Sequence, residues 1–94
     1  MIEEKETIIR LITALFPNVK IYLFGSYARG EQRETSDIDL AFDIGRPLTT
    51  KELSRIMDII QALNIPDKVD VVDMHRIPED FKNVILREGI VWKD

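Results

Sequence analysis

Residues 25–43 read GSYARGEQRETSDIDLAFD and directly follow the run Val19-Lys20-Ile21-Tyr22-Leu23-Phe24. Val19 to Phe24 is β-prone and nearly all apolar, which suits a strand covered on both faces. Further on, Ile38, Leu40, Phe42 and Ile44 alternate with Asp37, Asp39, Ala41 and Asp43. A period of two sends the apolar groups to one side of a strand and the carboxylates to the other. The stretch is therefore a loop between two strands, the first ending in glycine and the second carrying an acidic face.

Carboxylates at i and i+2 of a strand project from one face with Cα atoms roughly 6.5–7 Å apart, so the oxygens of Asp37 and Asp39 can converge on one or two cations. Like charges held this close raise a pKa or lower stability unless a divalent ion reverses the sign of the interaction. The donors are carboxylate oxygens, and no Cys or His cluster exists, which favours Mg²⁺ or Mn²⁺ over Zn²⁺. Mg²⁺ completes its shell with water and substrate phosphates, so the pattern points to a nucleotide. Gly25 lets the backbone approach a ligand, and Ser26 is expected to cap a short helix whose first N–H groups face an anion. Arg29 can add a charge-assisted phosphate contact, and Gly30 turns the chain out of the helix. This is neither a Walker A loop nor a GxGxxG fingerprint, so P-loop and dinucleotide-binding readings lose support.

Outward from this stretch, Ile8, Leu11, Ile12, Leu15 and Phe16 keep helical spacing up to Pro17. Thr49-x-x-Glu52 is a capping-box signature, followed by Leu53, Ile56, Met57, Ile60 and Leu63 on one helix face, predicted to run to about Asn64. Lys68 to Asp73 reads as a third strand, with Val69 and Val71 on one face and Asp70 and Val72 on the other. Strand parity puts Asp70, not Asp73, on the side of Asp37 and Asp39. Pro78, Glu79 and Asp80 form the first turn of a last helix with Phe81, Val84 and Ile85 as its buried stripe and Gly89 as its stop. Ile90-Val91-Trp92 is a short tail strand or a docked extension. Strands alternating with helices predict an α/β (α+β) sandwich, a small mixed sheet with helices mainly on one face.

The 94 residues are 45% hydrophobic and 32% charged, and they read as one domain, 1–94, without repeats or linkers. The absence of cysteine excludes disulfides and thiolate metal sites and fits a reducing cytoplasm. Met1 to Glu6 lacks the regions of a signal peptide, and no apolar stretch reaches membrane-spanning length. A net charge of −4 argues against a surface built to hold a nucleic-acid backbone.

Strand, Gly25-Ser26, ten residues, Asp37-Ile38-Asp39, then Asp70 on a later strand resembles the nucleotidyltransferase superfamily of DNA polymerase β. Gly-Ser-Tyr-Ala-Arg-Gly with Ser-Asp-Ile-Asp-Leu, ending near Glu88-Gly89-Ile90-Val91, is similar to the minimal nucleotidyltransferase (MNT) proteins across essentially the whole chain; Gln32 and Arg33 depart from the Glu-Ala-basic pattern of that loop. The resemblance implies a single nucleotidyltransferase domain in which Asp37, Asp39 and Asp70 hold two Mg²⁺ (or Mn²⁺) ions and a hydroxyl attacks the α-phosphorus of ATP. It implies that Gly25, Ser26 and Arg29 hold the β and γ phosphates. It further implies a HEPN-family partner, an RNase toxin, whose tyrosine receives AMP from this chain acting as antitoxin, in a homo- or hetero-oligomer. The alternatives are an antitoxin that neutralises by binding alone, and transfer to a small-molecule hydroxyl, for which nothing in the chain supplies an added helical domain. Taken singly, Tyr22, Tyr27 and Trp92 read as packing residues, with substrate contact the alternative for Tyr27 and a partner interface for Trp92; Arg29 reads equally as a surface or salt-bridging arginine, His75 as a loop residue, and Asp43 as solvated or salt-bridged.

Overall fold

A computed structural model of the protein describes residues 2–31 and 37–94; Gln32, Arg33 and Ser36 of the loop motif lie outside the described residues. The elements are α1 (Lys5–Leu15), β1 (Lys20–Phe24), α2 (Ser26–Arg29), β2 (Ile38–Asp43), α3 (Thr50–Ala62), β3 (Val69–Asp73), α4 (Glu79–Glu88) and β4 (Ile90–Lys93). The four strands form one mixed sheet in the order β3-β2-β1-β4. β1 is antiparallel to β2 and β4, while β2 and β3 run parallel. The parallel step needs a crossover, and α3 supplies it.

The even-numbered apolar residues of β2 do what their period requires. Ile38, Leu40 and Phe42 are fully buried and pack with Ile21 and Leu23 of β1, Ile8 and Ile12 of α1, and Ile56 and Ile60 of α3. This is the main core, on one side of the sheet. Val69 and Val71 of β3 join it, and Trp92 packs against its border with the Lys5 ammonium 5.9 Å from its ring centroid. Ala41 on the opposite side is also buried, against Met74 and Ile85, with Tyr22, Phe24, Val72 and Ile77 around them. The shorter α4 thus covers part of the face that carries the acids.

Two end signals are made as the chain predicts. Thr49 accepts from the Glu52 N–H at 3.1 Å and the Glu52 carboxylate accepts from the Thr49 N–H at 2.9 Å. The Arg46 guanidinium also grips Glu52 through two hydrogen bonds, and these contacts pull the Glu52 carboxyl down to about 2. α3 ends at Ala62, two residues before Asn64, which adopts a left-handed turn with φ 51°.

Two expectations are corrected. On α4 only Ile85 is buried, while Phe81 and Val84 are more than a third exposed; Phe81 meets Phe24 edge-on at 5.6 Å. The reason is the surface that α4 meets, apolar only around Ala41, so a full stripe has nothing to cover. Likewise Leu11 keeps helical phase with Ile8 and Ile12 yet lies at the margin of the core. Among the described residues, no helix is long and apolar enough to cross a membrane.

Candidate active site

The parallel pairing of β2 and β3 sets Asp39 beside Asp70, and the antiparallel pairing sets Phe24 on the other side of Asp39. One lateral row therefore runs Phe24, Asp39, Asp70, and the next runs Tyr22, Ala41, Val72. α4 packs over the second row through Ile85 and reaches the first at Phe24 through Phe81. Asp37 precedes β2 by one residue and adds its charge to Asp39. Asp73 falls on the other parity and is buried, where its carboxylate accepts the Leu48 N–H at 2.7 Å and the His75 N–H at 2.9 Å. That carboxylate anchors the loop before α3, a structural task that removes it from the acidic row.

Asp39 is also the point at which the acids meet the β1–α2 turn. Gly25 has φ 75° and ψ −154°, a conformation open to glycine, and a Cβ placed there would overlap Oδ2 of Asp39 and come within 3.2 Å of its Cγ. The backbone and the carboxylate can lie this close only because residue 25 has no side chain. Ser26 does not cap α2; Gly25 occupies the N-cap position, Ser26 is the first helical residue, and it makes no capping bond. The positive φ of Gly25 accounts for the shift. Gly30 ends α2 in the left-handed conformation, φ 70°. Arg29, whose side chain is about half exposed, donates to Glu31 at 2.7 Å and lies 4.0 Å from Glu88. These acids, with Asp39 further off, raise its guanidinium above the ordinary value.

Burial, then Asp70, then Asp37 raise the Asp39 carboxyl above its ordinary value, with Arg29 pulling the other way. Lys68 Nζ stands 3.7 Å from Asp70 Oδ1 on an exposed flank. Among the described residues no three Asp, Glu, His or Cys side chains form a closed metal-binding group. The donor set nevertheless fits a hard divalent ion held by one or two carboxylates that finishes its shell with water and phosphate oxygens, and the missing Cβ of Gly25 lets the Asp39 carboxylate lie against the β1–α2 turn. Two clefts among the described residues, of about 330 and 290 Å³, are lined by none of the three acids.

The sign of the Asp39 shift yields a prediction. A carboxyl raised in the folded state favours folding fully below its unfolded value, and that contribution is lost as pH rises through the folded value. At neutral pH the ionised acids therefore oppose folding, and a divalent cation should relieve them. Mg²⁺ with ATP at about a hundredfold above Kd should add about 2–3 kcal/mol at neutral pH. The gain should fade in acid solution, as Asp39 protonates. Thermal unfolding with and without Mg²⁺ at neutral and acid pH checks this; an equal gain at both contradicts it.

One cluster escaped the linear reading. Asp43 Oδ1 accepts the Gly45 N–H at 2.8 Å and lies 2.7 Å from His75 Nε2. Burial raises the Asp43 carboxyl, but the Gly45 N–H and His75 outweigh it and hold it below its ordinary value. The parity of β2 signalled the face of Asp43, and no local pattern signalled His75, 32 residues away.

The family model described as "Polymerase beta, Nucleotidyltransferase" matches residues 6–93. The chain belongs to this nucleotidyltransferase family. It is 28% identical over 92 residues to a Haemophilus influenzae protein named "Probable protein adenylyltransferase MntA", covering 98% of this chain and 81% of that one. It superposes with a TM-score of 0.78 and 28% identity on a chain of a toxin–antitoxin crystal structure with AMP-PNP, covering 95% of this chain and 72% of the other. A structure of a tri-AMPylated Shewanella oneidensis HEPN toxin in complex with MNT antitoxin matches at TM-score 0.71 and 25% identity, over 96% of this chain and 69% of the other. The nucleotidyltransferase fold and the minimal-family resemblance read from residues 25–40 agree with these matches.

Proposed function

We propose that the chain is a protein adenylyltransferase that acts as an antitoxin, moving AMP from ATP to a tyrosine hydroxyl of a HEPN-family RNase. Supporting this reading are the relatives of that activity and the seating of the Asp39 carboxylate against Gly25, in register with Asp70. Asp37 and Asp39 would hold both divalent ions, Mg²⁺ by preference, and Asp70 would complete the site nearer the acceptor. When bound, the ions offset the charge of the triphosphate and make the attacking hydroxyl more acidic. Gly25 and Ser26 bind the β and γ phosphates, with Arg29 released from Glu31 as their charge-assisted partner. Asp70 takes the proton of the tyrosine hydroxyl as its oxygen bonds to the α-phosphorus, and the bond to the bridging oxygen breaks to release pyrophosphate.

Residues 1–94 act as one minimal nucleotidyltransferase domain in the cytoplasm, where the toxin meets its RNA. The partner would enclose the base and present the hydroxyl. Incubation with ATP, Mg²⁺ and the HEPN protein, followed by intact-mass measurement of that protein, should show added AMP. No added mass, with cells still protected equally by an Asp37→Asn/Asp39→Asn variant, would leave neutralisation by binding alone.

A further inference from the structure

Gly25 and Ser26 belong to the β1–α2 turn, whereas Asp70 belongs to β3, and β2 lies between those strands. A reaction that uses both groups needs their separation fixed, since displacement of about 1 Å can lower a rate about a hundredfold. α2 is four residues long and is closed by a few backbone bonds, in which the Arg29 N–H donates to Gly25, the Gly30 N–H to Ser26 and Tyr27, and the Glu31 N–H to Ser26. So short a helix has little rigidity of its own. Its Tyr27 ring packs on the main core, and the hydroxyl reaches out to donate to Asp67 Oδ2 at 3.2 Å, 40 residues along the chain.

Asp67 stands at a joint of the sheet. The carbonyl of the next residue, Lys68, accepts the Ile38 N–H at 2.8 Å, which ties the start of β2 to the start of β3. Two residues further on, Lys68 having passed, lies Val69, the register partner of Ile38, and then Asp70, the partner of Asp39. Pro66 stiffens the approach to this joint. We propose that the Tyr27–Asp67 hydrogen bond sets the distance between the Gly25–Ser26 turn and Asp70, making Tyr27 and Asp67 positioning residues for AMP transfer. This rests on the proposed function and adds to it a pair that touches neither nucleotide nor ion. Partial burial, the Asp67 charge and the hydrogen bond itself hold the Tyr27 phenol above its ordinary value, so it remains a donor in neutral solution.

Tyr27→Phe keeps the ring in the core and removes only the hydroxyl; Asp67→Ala removes the acceptor, and Asp67→Asn keeps one acceptor oxygen. In the complex with the HEPN protein, Tyr27→Phe and Asp67→Ala should each lower kcat about tenfold with KM for ATP within about twofold. The double variant should be no slower than either single one, and Asp67→Asn should recover most of the rate. Hydrogen exchange of the Arg29, Gly30 and Glu31 amides should quicken about five- to tenfold in both single variants, with the α3 amides unchanged. A kcat within about twofold of the unaltered chain, or losses that multiply in the double variant, would overturn the proposal. Unchanged exchange at those three amides would overturn it as well. Absence of AMP transfer by the unaltered chain would count against the proposed function, and the exchange comparison alone would then decide the tie.

Discussion

Asp39→Asn should lower AMP transfer by at least about a thousandfold, equivalent to about 4 kcal/mol of transition-state stabilisation, while leaving the fold intact or slightly firmer. The amide matches the carboxylate in shape, so the close fit against Gly25 survives. What disappears is a negative charge placed between Asp70 and Asp37, the two neighbours that raise the Asp39 carboxyl after burial itself. In the ion-free chain this removes repulsion, and the melting temperature at neutral pH should stay level or rise. In the proposed mechanism the same change would take away a ligand shared by both ions. Activity and stability thus move in opposite directions, the pattern expected where acids are kept for function at the expense of folding. Transfer rates and thermal unfolding measured on one preparation check both halves; a fall in melting temperature matching the loss of rate would mean that Asp39 serves the fold.

Gly25→Ala should be strongly damaging for a change of one methyl group. Its φ of 75° with ψ −154° strains any other residue by about 1–3 kcal/mol, and the added Cβ would overlap the Asp39 carboxylate. Gly45→Ala provides the control, because Gly45 has φ 86° with nothing within 4 Å of an added Cβ. Gly25→Ala should therefore lower the melting temperature by about 10–20 °C and abolish transfer. Gly45→Ala should show the backbone effect only, about 5–10 °C, with transfer retained. Combining Gly25→Ala with Asp39→Ala should recover part of the lost stability, since the overlap has a single partner. Equal destabilisation by the two alanines would show that Asp39 does not press against residue 25.

The side of the sheet on which the acids lie was legible because Ile38, Leu40 and Phe42 are buried on a strict period of two, and the carboxylates between them have only one other face to occupy. Parity likewise separated Asp70 from Asp73. The lateral row was not legible, since the pairing of Asp39 with Asp70 depends on where the crossover through α3 ends. The exposure of Phe81 and Val84 was hidden for a related reason. Helical period tells which residues share a face, and the apolar area of the opposing surface decides how many of them are covered. Residue type carries no φ, so the sequence could not show that the positive φ of Gly25 puts Gly25, not Ser26, at the N-cap of α2. The Tyr27–Asp67 and Asp43–His75 contacts join residues 40 and 32 apart, beyond any local pattern.

The most direct measurement is anomalous diffraction from crystals grown with Mn²⁺ and a non-hydrolysable ATP analogue. The expected map places manganese among Asp37, Asp39 and Asp70, with the triphosphate along Gly25 and Ser26. Manganese bound elsewhere, for instance at Asp43 and His75, or a triphosphate held away from the β1–α2 turn, would contradict the account.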